Sequence, residues 1–246
     1  MTEPTYLHAT RVAYDTVAVD YAKLVPPAFE NDLYGRAMIS TFAELTLALD
    51  AGPVADLGCG PGHLTAHLQS LGVTAFGIDL SPQTVAVARR RHPDLRFDEG
   101  SMTDLDLADG SLGGIIAWYS IVHTPPELLP AVFAEFHRVL APGGHLLIAF
   151  KAGDRLRHLK QAYGHELSLD VYWTSPDRIA ELLSRTGLVV DAQLIREPNE
   201  QEKPRQGQQA YLVARKPASA GNQETRTADN LSRDEPTDLI PGDNPR

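Results

Sequence analysis

The chain holds one cysteine, Cys59, in 246 residues, which rules out an intramolecular disulfide and a thiolate-rich metal site. That usage fits a reducing compartment. No apolar run approaches the roughly 20 residues that cross a bilayer. The opening Met1-Thr2-Glu3-Pro4-Thr5-Tyr6 lacks the basic and apolar regions of a secretory signal. The expectation is therefore a cytoplasmic protein with no membrane partner. Positive charge is scarce as well, with 22 Lys and Arg against 32 Asp and Glu and a net charge of -10. A large basic footprint is thereby disfavoured, so nucleic acid is not an expected partner. Residues 217–246 lack aromatics and hold few apolar side chains, so burial cannot offset the entropy of ordering them, and a disordered tail is expected. The length suits one sizeable α/β core with appendages, acting as a monomer or homodimer.

Within that core, short β-rich apolar runs alternate with amphipathic stretches, the pattern of helices covering both faces of a mostly parallel sheet. The spacing predicts helices over 38–49, 63–71, 82–91, 127–140 and 177–186. It predicts strands over 54–57, 74–78, 95–98, 112–118, 145–150, 188–196 and 210–216, the last two as a closing antiparallel pair. Ser81 and Ser175, each followed by proline, mark helix starts. Residues 151–173 are polar and aromatic and read as a loose insertion that shapes a substrate pocket. At the other end, Tyr14, Ala18, Tyr21 and Val25 recur at helical spacing, giving a helical lid within residues 1–36 over a domain at 37–216.

Chemistry concentrates at Asp56-Leu57-Gly58-Cys59-Gly60-Pro61-Gly62, between a strand and a helix, where Gly58, Gly60 and Gly62 leave backbone bare for a ligand. The next strand ends in Gly77-Ile78-Asp79, and the carboxylate of Asp79 can accept from both hydroxyls of an adenosine ribose. A nicotinamide dinucleotide would use the same carboxylate. Its fingerprint, however, places the last two glycines three apart, whereas Gly60 and Gly62 are two apart, and Asp56 would repel a pyrophosphate. The same carboxylate suits a ligand carrying an ammonium and a sulfonium, as S-adenosylmethionine does.

Taken with Gly77-Ile78-Asp79-Leu80-Ser81 and Val139-Leu140-Ala141-Pro142-Gly143-Gly144, the turn resembles the ordered motifs of class I S-adenosylmethionine-dependent methyltransferases. Within that class the chain looks most like the small-molecule, type 11/25-like methyltransferase domain of bacterial type. The resemblance implies a Rossmann-like, doubly wound, mostly parallel seven-stranded sheet with the last strand antiparallel. The residues assigned to the cofactor are Tyr21, Asp56, Gly58, Cys59, Gly60, Gly62, Asp79, Leu80, Ser101, Met102, Trp118, Tyr119 and Ser120. Tyr21 is implied to donate to the cofactor carboxylate, although ordinary core packing of its helix would place it equally well. Two departures stand out. Many relatives carry an acidic residue after the third strand that contacts adenine, where this chain has Gly100-Ser101-Met102. The aspartate common at the start of the fourth strand is replaced within Leu112-Gly113-Gly114, which suggests a more flexible strand start.

The expected reaction is methyl transfer to O, N or C of a small-molecule acceptor by in-line displacement. A nicotinamide-dependent oxidoreductase and a non-catalytic S-adenosylmethionine-binding module are the alternatives. Positioning should dominate, but a hydroxyl or weakly acidic carbon must lose a proton, and His123, just past the fourth strand, is the candidate base. The competing role for His123 is a hydrogen bond to a neighbouring loop or to the cofactor. Tyr119, Lys151, His165, Tyr172 and Trp173 are candidates to line the acceptor pocket. His63 and His67 read as an exposed helix face rather than metal ligands, and Arg89-Arg90-Arg91-His92 as a helix terminus favoured by the dipole. Cys59 reads as a small spacer in the turn.

Overall fold

The structure is a computed structural model that describes residues 4–198 and 207–218. The tail expected at 217–246 lies, past residue 218, outside the described residues. Strand β1 (Val54–Leu57) is buried at every position, as a central strand covered on both faces must be. It pairs in parallel with β2 (Ala75–Asp79) on one side and β4 (Leu112–Trp118) on the other. Beyond them lie β3 (Phe97–Glu99) and β5 (Leu140–Lys151). Strand β9 (Gln209–Arg215) runs antiparallel between β5 and β8 (Val189–Arg196), giving the order β3-β2-β1-β4-β5-β9-β8. This is the doubly wound, Rossmann-like sheet that the sequence suggested.

Period-two alternation sends side chains of one strand into two cores. Ile115, Leu146, Ile148 and Leu212 pack with α5 (Leu129–Val139) and α6 (Pro176–Arg185), through Phe133, Phe136, Ile179 and Leu183. Ile116, Leu147 and Val213 pack on the other face with Ile39 and Phe42 of α2 (Leu33–Leu49) and Leu64 and Leu68 of α3 (His63–Ser70). The glycines at the start of β4 serve this second face. A Cβ on Gly114 would sit 2.7 Å from Thr46 and 2.9 Å from Phe42, and one on Gly113 would sit 2.5 Å from the Gly52 carbonyl. They admit α2 and the turn before β1 rather than loosening the strand. Strand β5 begins earlier than the spacing suggested, because a bulge carries Ala141-Pro142-Gly143-Gly144 between the Leu112–Leu140 and Gly114–His145 pairs.

Helix α4 (Pro82–Arg91) starts as expected, with the Ser81 hydroxyl accepting from the Thr84 amide. Helix α1 (Thr5–Glu30) lies against it: Ala18 and Ala22 pack on Val87, and the Arg91 guanidinium donates to the Ala22 carbonyl. Asp15 of α1 accepts from the Ser81 hydroxyl and the Gln83 amide, so the helix above helps to cap the helix below. The loose loop expected at 151–173 is instead a β-hairpin, β6 (Arg155–Ala162) with β7 (His165–Trp173), forming a second, two-stranded sheet. Leu169, Val171 and Trp173 face inward at alternate positions, and Tyr163 and Gly164 turn the chain at φ 54° and 84°. Its polar residues are the outward positions of β7 and most of β6, which is exposed along nearly all its length.

Candidate active site

Gly58, Gly60 and Gly62 adopt φ of 76°, 55° and 81°, conformations that a side chain resists. The amides of Gly58 and Cys59 both donate to the Ile78 carbonyl, which binds the turn to the end of β2. Asp79 completes the clasp, since its two carboxylate oxygens accept from the Gly60 and Ser81 amides at 2.8 and 2.9 Å. Each oxygen keeps a lone pair for a ligand hydroxyl. A Cβ on Gly58 would come within 2.3 Å of that of Ser120, so the turn touches the residue just past β4. Ser120 Oγ is buried there and has no partner among the described residues.

Asp56 is 1% exposed and accepts from the Thr65 hydroxyl at 2.7 Å. Burial, with Asp79 adding repulsion, pushes its carboxyl up to about 7. Asp79 is raised too, again chiefly by burial. Neither carboxylate has a lysine or arginine partner among the described residues. A buried acid and a half-buried one, neither paired with a cation among the described residues, make a place where a positively charged ligand is stabilised. The cradle, the hydroxyl without a partner among the described residues and this pair of acids all suit S-adenosylmethionine.

Two cavities meet over this cradle. A narrow one is lined by Leu80, Ser101 and Met102 from the strand ends and by Tyr6, Thr10 and Arg11 of α1. The wide one, of about 870 Å³, runs between α1 and the hairpin. Tyr14, Tyr21, Gly58, Gly60, Trp118, Tyr119 and His123 line both. The four lining residues at the start of α1, Tyr6, Leu7, Thr10 and Arg11, were not legible in the sequence, because nothing in a helical repeat says which sheet edge it will cover. Arg11 also donates to the Leu80 carbonyl at 3.3 Å.

His123 is held from both sides. Its Nδ1 lies 2.8 Å from the Asp170 carbonyl of β7, an acceptor only, so Nδ1 carries the proton. Nε2 then accepts from the Tyr14 hydroxyl at 2.9 Å. Burial depresses the imidazole to about 4, so it is neutral near pH 7. Tyr14 in turn packs edge-on against Tyr21, and Tyr21 against Tyr163 at the hairpin tip. Tyr119 sits at φ 53°, a strained setting for a non-glycine residue, and its hydroxyl donates at 3.3 Å to Tyr211, which donates to Asp32.

Of the candidate acceptor residues, Tyr119 and Lys151 line the wide cavity. Trp173 lies in the core at 5% exposure, under Lys151 and Arg155, while His165 pairs with Asp20 at 2.9 Å, pinning the hairpin tip to α1. Tyr172 is outside the cavity lining as well. Cys59 borders the wide cavity, but its side chain packs with Val85, Ala88 and Phe97, and burial raises its thiol. His63 is not on an exposed face: it lines the wide cavity, packs edge-on against Phe29, and burial lowers it to about 4.

Residues 54–144 match the family model of a methyltransferase domain. Demethylmenaquinone methyltransferase of Beutenbergia cavernae is 37% identical over 48% of this chain and 50% of its own length. Malonyl-[acyl-carrier protein] O-methyltransferase of Pectobacterium atrosepticum is 33% identical over 45% of this chain and 43% of its own. The chain thus spans about half the length of the curated relatives it matches. Among solved structures, 1,6-didemethyltoxoflavin-N1-methyltransferase of Burkholderia thailandensis, bound to 1,6-didemethyltoxoflavin and S-adenosylhomocysteine, shares the fold. It superposes with a TM-score of 0.61 at 20% identity, over 88% of this chain and 92% of its own. Sheet order, glycine turn and family match agree: residues 54–144 match a methyltransferase domain, set in the fold shared with S-adenosylmethionine-dependent methyltransferases.

Proposed function

We propose that the protein moves a methyl group from S-adenosylmethionine to a small-molecule acceptor by in-line displacement. The observation that carries this reading is the junction of two cavities at Tyr14, Gly58, Tyr119 and His123, where a narrow cavity bordered by the glycine cradle and Asp79 meets a wide, largely apolar chamber that Asp56 lines beside the same turn. The names of the similar proteins, with demethylmenaquinone and 1,6-didemethyltoxoflavin among the molecules they mention, support an acceptor of this size. The scarcity of basic residues supports an acceptor other than nucleic acid, and the lone cysteine supports a cytoplasmic setting.

When bound, the cofactor supplies a methyl group on a sulfonium whose leaving thioether is neutral, so the protein's part is mainly alignment. Asp79 holds the ribose hydroxyls and Asp56 faces the ammonium. Ser101, Met102 and Leu80 flank the base, Ser120 offers its hydroxyl, and Tyr21 closes over the cofactor's polar end. Trp118 and Tyr119 line both cavities where they meet. His123 orients Tyr14 rather than meeting the acceptor with a free ring nitrogen, because its one lone pair already receives the Tyr14 hydroxyl. An acceptor proton reaches the imidazole by passing to the Tyr14 oxygen while Tyr14 hands its own to Nε2.

The test is a titration of the purified chain with S-adenosylmethionine, followed by mass detection of methylated product across an acceptor panel. Binding with a product one methyl group heavier supports the reading. Binding without product from any acceptor would leave a binding module, and stabilisation by NAD rather than by S-adenosylmethionine would favour the oxidoreductase.

A further inference from the structure

We propose, on the methyltransferase reading above, that Asp32 and Tyr211 are positioning residues for methyl transfer: through a buried hydroxyl relay they hold Tyr119 where the two cavities meet. Tyr119 follows β4 directly and lines both cavities. Its φ of 53° is one that an aromatic residue keeps only when its surroundings enforce it. Two holds from neighbouring strands do so. The Tyr119 amide donates to the Ala149 carbonyl of β5 at 2.8 Å. The Tyr119 hydroxyl donates at 3.3 Å to that of Tyr211, which β9 pairs directly with Ala149. Both ends of Tyr119 are thus fixed by one rung of the sheet.

Tyr211 is wholly buried and borders neither of these cavities, so its hydroxyl serves its neighbours rather than a ligand. It donates in turn to Asp32 at 2.9 Å, and Arg196, a donor only, also hydrogen-bonds it. With its proton given and both lone pairs filled, the Tyr211 hydroxyl has a single arrangement, in which the Tyr119 proton points at it. Asp32 uses its other oxygen on the Gly35 amide at 3.0 Å, the N-terminal cap of α2. Gly35 lets that helix start come close, since a Cβ there would lie 2.8 Å from the Trp118 ring. The Tyr211 ring also packs on Trp118, with centroids 5.4 Å apart. Cap, relay and both junction aromatics are therefore one packed unit. Burial, with Asp32 nearby, pushes the Tyr211 hydroxyl up to about 12, so it keeps its proton across the working pH range. Alignment dominates the transfer, and a displacement of about 1 Å can cost roughly a hundredfold in rate.

The experiment compares wild type with two variants. Tyr211→Phe keeps the ring on Trp118 and removes only the hydroxyl, while Asp32→Ser keeps an oxygen for the α2 cap and withdraws the one facing Tyr211. Each is measured for turnover of an acceptor that wild type methylates and for S-adenosylhomocysteine affinity. Both variants should lower kcat by at least about fivefold, with acceptor KM and S-adenosylhomocysteine Kd within about twofold of wild type. The loss in Tyr211→Phe should be the same at about pH 6.5 and about pH 8.5, because the Tyr211 hydroxyl does not ionise between them. Adding Tyr211→Phe to Tyr119→Phe should slow the enzyme no further, since both break the same bond. Fluorine NMR of fluorotyrosine-labelled protein gives a readout that needs no turnover. The Tyr119 line, assigned from Tyr119→Phe, should move or broaden in both relay variants while that of Tyr172 on the hairpin stays. Should one variant not fold, the other carries the test. Unchanged kcat in a folded variant, losses that multiply in the double variant, an equal fall in cofactor affinity, or an unmoved Tyr119 line would overturn the proposal. If wild type itself binds no S-adenosylhomocysteine or methylates nothing, the methyltransferase reading falls first and takes this one with it.

Discussion

Asp56 and His123 are buried titratable groups shifted in opposite senses, and both shifts have measurable consequences. Asp56 ionises at about 7 in the fold against 3.8 ordinarily, so its contribution to stability is complete below 3.8 and is lost as pH rises through 7. Asp56→Asn, neutral at every pH, should therefore raise the melting temperature of the ligand-free protein at about pH 8 and change it little at about pH 4. A cationic ligand binds the ionised form, so the affinity for S-adenosylmethionine should weaken, by up to about tenfold per pH unit, as pH falls below 7. Calorimetry across this range checks both, and a flat affinity profile in wild type would count against the assigned role of Asp56. His123, depressed to about 4, stays neutral under ordinary conditions, so kcat should show no inflection near 6.5 from this residue. Tyr14→Phe should lower kcat by roughly 10- to 100-fold, the lower part of what a proton-transfer group contributes, with S-adenosylhomocysteine affinity unchanged. An equal loss of cofactor affinity would instead make Tyr14 a cofactor contact.

At the scale of elements, the hairpin is where sequence and structure diverge most usefully. The central strands were legible because short, mostly apolar runs bounded by glycine and proline admit few other readings. Helix α4 was legible because Ser81-Pro82 announces its start. The run from Glu166 to Trp173 alternates just as regularly, but its outward residues and the aromatic Tyr163 in the turn disguised a two-residue hairpin as a loop. The turn itself is testable. Gly164 sits at φ 84°, so Gly164→Val should cost about 1–2 kcal/mol for forcing a β-branched residue into a left-handed setting. Because the hairpin carries Asp170, the carbonyl partner of His123, and walls the wide cavity, the same change should raise the acceptor KM more than the cofactor Kd. The glycine turn and its approach to the end of β2 were readable from motif spacing. What the sequence could not convey is that α1 and the hairpin converge on the same chamber, since that depends on contacts such as His165 with Asp20 between residues far apart in the chain.

Across the whole molecule, the narrow and wide cavities are joined, and each is roofed by α1, which is tied to α4 through Asp15 and to the hairpin through Asp20. Cofactor binding should therefore stabilise the entire domain rather than one loop. At a hundredfold excess over Kd the gain is about 2.7 kcal/mol, which for a chain of this size amounts to a rise of roughly 5–10 °C in Tm. NAD at the same concentration should leave Tm unchanged. The most direct test of the central claim is calorimetric titration of wild type and Asp79→Ala with S-adenosylhomocysteine. The account predicts saturable one-to-one binding by wild type and a loss of at least tenfold in the variant, whereas a folded wild-type protein that takes up none of this ligand would contradict it.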